Sequence, residues 1–151
     1  MYKQIFLGGT AGKSNWRSDI AIPALQSAGI SYYDPQLGVN DWTDGHMNAE
    51  ISAEESASVL LFVLTGESRG VATIAEIAYY IGRKRPIALS ILDVSDQAIV
   101  NGHALPSDEV ADLNRGRLFL RAMAQSHGIP IAATVQEVVH HAITLVRQQT
   151  C

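Results

Sequence analysis

The chain predicts an α/β fold: a three-layer, doubly wound sheet of five parallel strands with helices on both faces. Two observations carry this. Strand-like and helix-like segments alternate from end to end, as repeated strand-helix-strand units require. The run Val59 to Leu64, VLLFVL, is apolar at every position, as a strand covered on both faces must be, and it is too short to span a membrane. With 151 residues and 47% hydrophobic content, the chain suits one domain, 1–151, with a substantial core.

Tyr2 to Leu7 (YKQIFL) is the first strand, closed by Gly8 and Gly9. The GKS at Gly12 to Ser14 resembles the end of a phosphate-binding P-loop, but that motif needs a glycine where Leu7 stands. A dinucleotide G-x-G-x-x-G fails at the same residue, and Val59 to Leu64 does not end in an acid able to hold magnesium. What remains is a loop of small residues, Gly8, Gly9 and Thr10, that lets a ligand approach the backbone closely. Ser14 or Asn15 caps a helix to about Ala28, with Ile20, Ala24 and Leu25 inward, a bend at Pro23 and an end at Gly29. Ile30 to Tyr33 is the second strand, and Asp34-Pro35 turns the chain out of it.

Gln36 to Asp44 has no period and reads as a loop over the strand ends, where Trp42 either stacks on a planar ligand or plugs the loop. Gly45 to Ala57 is a helix with Met47 and Ile51 inward and Glu54 and Glu55 in solvent. Glu50, beside the apolar stripe, is a candidate second carboxylate of a site. The third strand, a turn from Thr65 to Gly70, and a helix through Ile81 follow; Arg83, Lys84 and Arg85 favour that helix's negative end. Pro86 to Leu92 is the fourth strand, Asp93 to Pro106 a polar run, and Ser107 caps a helix ending at Gly128. Ile129 to Ala132 is the fifth strand, and Thr134 with Glu137 forms a capping box for the last helix, to about Gln148. This succession predicts the flavodoxin-like strand order 2-1-3-4-5.

The chemistry is expected in Gly70 to Pro86, GVATIAEIAYYIGRKRP. It starts at the carboxyl end of the middle strand, where parallel α/β sheets bind ligands. There Glu76 stands among Ile74, Ala75, Ile77, Ala78, Tyr79, Tyr80 and Ile81, neighbours that disfavour a charge. Two readings are open. Glu76 is a reactive carboxylate, or it closes a capping box with Thr73 at the start of the helix.

Composition excludes other classes. A net charge of −4 with no basic stripe argues against nucleic-acid binding. The only cysteine is Cys151, so neither a disulfide framework nor a thiolate metal site is expected. His46, His103, His127, His140 and His141 lack ligand spacing, so no metal is expected, and no G-x-S-x-G elbow marks a serine hydrolase. No signal peptide, lipidation motif or membrane-spanning run is evident, so a soluble cytoplasmic protein without membrane partners is expected.

IFLGGT at Ile5 to Thr10, an acidic helix leading into VLLFVL, and the GVATIAEIAYYIGRKRP stretch stand in a fixed order. Together they resemble the nucleoside 2-deoxyribosyltransferase family and the related 2-deoxynucleoside 5-phosphate N-hydrolases, over roughly Tyr2 to Leu92. The resemblance implies cleavage or transfer at an N-glycosidic bond of a nucleoside or its 5-monophosphate, with no cofactor. It makes Glu76 the nucleophile and Glu50 the residue that binds the sugar or protonates the base. It places Phe6, Gly8, Gly9, Thr10, Trp42, Gly70 and Thr73 around the substrate and implies a homo-oligomer. Many members carry aspartate where this chain has Gly70 and glycine where it has Ala72. The cytokinin-riboside phosphoribohydrolases share a similar turn, but their P-G-G run is absent here. A nucleotide-binding module without turnover is the alternative.

Overall fold

The structure is a computed structural model that describes residues 4–10, 13–36 and 43–149. Trp42, Gly12 and Cys151 lie outside these. Strand β1 (Ile5–Gly9) is followed by a π-helical turn, Arg17–Ala21, that runs into helix α1 (Ile22–Ser27). Then come β2 (Tyr32–Tyr33), α2 (Asp44–Ser56), β3 (Val59–Leu64), α3 (Val71–Gly82) and β4 (Ile87–Ile91). A small pair, β5 (Ile99–Val100) and β6 (His103–Ala104), precedes α4 (Ser107–Ser126), β7 (Ile131–Ala132) and α5 (Val135–Gln149).

The main sheet is parallel throughout, in the order β2-β1-β3-β4-β7. This is the predicted order, once β5 and β6 are set aside as a separate antiparallel pair. Alternation along each strand sorts the core. Ile5, Leu7, Val59, Leu61 and Val63 face α1 and α5, whereas Phe6, Leu60, Phe62 and Leu64 face α3 and α4. All six residues of β3 are fully buried, which explains its unbroken apolar run. Leu61→Ala removes a side chain with no exposed surface, and urea unfolding should show a loss of about 2–5 kcal/mol. Among the described residues no helix is long and apolar enough to cross a membrane.

Several local expectations change. The first helix does not start from a cap at Ser14 or Asn15 but enters through the π-helical turn, in which the Ile22 N–H donates to the Arg17 carbonyl. Pro23, which has no N–H to give, sits in the first turn of α1, where that lack costs nothing. Ser107 is the first residue of α4 and caps nothing; Pro106 precedes it. The Thr134 and Glu137 box forms, with the Glu137 carboxylate accepting from the Ala133 N–H rather than the cap residue's own. The polar run after Asp93 contains the hairpin β5-β6. Its turn is Asn101-Gly102, both at positive φ, as a two-residue hairpin loop demands. Val94, Ala98, Val100, Leu105 and Val110 form a small core beneath it.

Candidate active site

Helices α2 and α3 each present a stripe at helical spacing, and the two stripes face each other across a cavity of about 570 Å³. From α2 come Met47, Glu50, Ile51, Glu54 and Glu55; from α3 come Ala72, Ala75, Glu76, Tyr79 and Tyr80. The opposite face of α3, with Thr73, Ile77 and Ile81, is buried and fixes the helix on the sheet. The small Ala72 and Ala75 leave the space that the cavity occupies. Met47 and Ile51 are therefore not core residues as expected; they are 40% and 48% exposed and form an apolar wall.

Three carboxylates meet in this cavity. One oxygen from each of Glu50, Glu54 and Glu76 lies within 4.8 Å of the others. Among the described residues no other group of three acidic, histidine or cysteine side chains converges in this way. Glu76 is pushed up to about 7, first by burial and then by the charges of Glu54 and Glu50. Burial also raises Glu50, and the Arg17 guanidinium opposes that rise. The capping-box reading of Glu76 does not hold. Helix α3 starts at Val71 with Gly70 as its cap residue, so Thr73 lies inside the helix and Glu76 a full turn beyond it.

Glu54 was expected in solvent, yet it is 4% exposed and accepts a 2.7 Å hydrogen bond from the Tyr80 hydroxyl through Oε2. Its Oε1 is buried without a hydrogen-bond partner. The sequence carried a signal: Glu54 stands four residues after Glu50 and seven after Met47, on the same helical stripe. Arg83 and Arg85 serve α2 rather than the end of α3. Arg83 pairs with Glu55, and Arg85 Nη2 donates to the carbonyls of Glu54 and Ala57 at 3.1 and 2.7 Å.

The other expected contacts among the described residues, on β1, just after it and at the start of α3, lie outside the cavity wall. Phe6 is fully buried, stacked on Tyr33 and tilted against Phe62, and presents no surface to a ligand. Gly8 and Gly9 allow close packing, since a Cβ would sit 2.2 Å from the Phe62 ring or from the Val63 carbonyl oxygen respectively. Thr10 exchanges a 2.7 Å hydrogen bond with Thr65, and its hydroxyl accepts from the Thr65 N–H. Thr73 is buried. Gly70 is left-handed at φ 70°, and a Cβ there would meet Leu64 at 2.4 Å. An aspartate at this position, as many members of the resembled family carry, would take a left-handed backbone and push the Leu64 side chain aside.

Two buried arginines organise this edge. Arg17, 3% exposed, donates to the carbonyls of Leu7 and Gly9 and lies 3.6 Å from Asp34; its Nη1 is buried without a hydrogen-bond partner. Arg117 of α4, fully buried, donates to the carbonyls of Thr65, Ser68, Arg69, Leu92 and Leu113. It thereby fixes the turn that launches α3 and so the height of Glu76 above the sheet.

No curated protein matches the chain. A family model does, that of the nucleoside 2-deoxyribosyltransferase-like proteins, over residues 2–94, the span from β1 past β4 that contains all three carboxylates. With most of its length matched, and with a flavodoxin-like parallel sheet, the chain belongs to the nucleoside 2-deoxyribosyltransferase-like family.

Proposed function

We propose that the chain cleaves or transfers the N-glycosidic bond of a deoxynucleoside or nucleoside 5-monophosphate, with Glu76 as nucleophile and Glu50 as proton donor. The observation that carries this reading is the separation of the two carboxyl groups. Their oxygens lie within 4.8 Å in one cavity, close to the roughly 5 Å of retaining glycosidases and short of the roughly 6.5–9.5 Å of inverting ones. That spacing matches the retaining arrangement, in which the carboxylate itself attacks the anomeric carbon. The C–N bond breaks as the C–O ester bond forms, and the departing base takes the Glu50 proton. Water then releases the sugar in hydrolysis, whereas a second base gives transfer. Met47, Ile51 and Tyr79 offer apolar walls to the base.

Of the three carboxyls Glu76 is raised most, so the proton they share rests there near neutrality. Attack requires that proton to move to Glu50 or the base, so kcat/KM should fall as pH rises through about 7, where the free protein loses it. A chromatographic screen for free base across nucleosides and their monophosphates tests the reading. Activity is expected on at least one, and Glu50→Gln should cost about 10²–10⁴-fold on that substrate, as removal of a general acid does. Tight nucleotide binding without base release would instead favour the non-catalytic module. Assembly as a homo-oligomer belongs to the same reading, and a solution mass above the 16.3 kDa of one chain checks it.

A further inference from the structure

We propose that Glu54, clamped by Tyr80, is a positioning residue that holds a fixed negative charge in the cavity floor and so keeps a proton on the Glu50 and Glu76 pair. This deepens the glycosidic reading and rests on it. The geometry comes first. Glu54 is almost wholly buried, Tyr80 donates to its Oε2 at 2.7 Å, its Oε1 has no partner, and one of its oxygens lies within 4.8 Å of oxygens from Glu50 and Glu76. A buried acceptor without a donor is costly, and the donors within the trio are the protonated carboxyls of its neighbours. Three carboxylates this close cannot all be ionised, because each added charge raises the others.

The groups around Glu54 decide which of the three gives up its claim to the proton. From its own helix Glu50 and Glu55 repel it; from α3, Glu76 repels it and Tyr80 donates to it; from the segment after α3, Arg85 attracts it. Burial raises Glu54, while the Tyr80 bond and the Arg85 charge favour its ionised form. Arg85 lies 5.8 Å from the Tyr80 ring centre and donates to the Glu54 carbonyl, so cation, phenol and carboxylate form one ordered unit. Glu50 has Arg17 near it, and Glu76 has no cation among its influences. The proton therefore settles where no cation opposes it, on Glu76. There it can pass to a departing base, while the anion of Glu54 stays behind and disfavours a second proton-free state.

The test follows the carboxyl carbons of glutamate-labelled, substrate-free protein by NMR across pH 4 to 9 (about the range over which these groups titrate). In the native protein the Glu76 signal should titrate near 7. Glu54→Gln should lower that midpoint by about one unit, the effect of removing a like charge at this distance. Tyr80→Phe, which leaves Glu54 in place but frees it to take the proton, should shift it the same way by less and serves if Glu54→Gln does not fold. A Glu76 midpoint that moves by less than about 0.2 unit in both variants overturns the proposal, since packing alone would leave it so. The titration contains no substrate, so it stands or falls separately from the nucleophile assignment, which base release by Glu76→Gln decides.

Discussion

Glu76→Gln should reduce base release by about 10⁴-fold or more, because an amide forms no ester with the sugar and the remaining binding interactions supply little of the barrier lowering. By the same substitution the folded protein should become more stable. The carboxyl's ordinary value is 4.5 and the fold raises it to about 7, so the native state holds the proton more tightly than the unfolded chain. The native state is therefore favoured most below pH 4.5, and that advantage is lost as pH rises through 7. Glutamine carries no charge to lose. At pH 8 the variant should exceed the wild type by about 1–2 kcal/mol, a figure discounted because Glu76 keeps some contact with solvent, and the difference should vanish near pH 4.5. Thermal unfolding of both proteins across pH measures it. A gain in stability with a loss of activity is the mark of a carboxylate kept in place for chemistry.

The second large effect belongs to Arg117. Arg117→Met keeps an apolar stem of similar length but withdraws the donors that the carbonyls of Thr65, Ser68, Arg69, Leu92 and Leu113 share. Each buried acceptor left unpaired costs about 1–3 kcal/mol, and partial rearrangement will recover some of that. A net loss of at least about 3 kcal/mol in urea unfolding is expected. The turn from Thr65 to Gly70 should also loosen, since it has few other anchors, and amide exchange there should quicken more than in β3. If the variant unfolds like the wild type, Arg117 is not the clamp on that turn.

Sequence pattern sufficed for what depends on local chemistry and polarity. The all-apolar VLLFVL could only be a central strand, and alternation with helices dictated the parallel order that the sheet adopts. Glu76 stood out because burial in an apolar helix face is unfavourable for an acid. Glu54 did not, because a charged residue next to Glu55 near a helix end ordinarily faces water; only the opposing Tyr80 from α3 makes burial tolerable. Arg117 gave no local signal at all. Its partners are backbone carbonyls mostly 25 or more residues away, and nothing in composition reveals that pairing. Phe6 illustrates the opposite error: the resemblance places an aromatic near the start of the first strand against the substrate, yet alternation turns its ring into the core, against Phe62 and Tyr33. Asn101-Gly102, by contrast, was a legible hairpin turn obscured by the polar residues around it.

A sugar bonded to Glu76 is the intermediate on which the account depends. Incubating the protein with a slowly turned-over deoxynucleoside analogue, then digesting it and weighing the peptides, looks for that bond directly. The predicted result is one sugar mass on the peptide that carries Glu76, absent in Glu76→Gln and chased away by free base or water. Base release without any adduct, or an adduct on Glu50 or Glu54 instead, would contradict it.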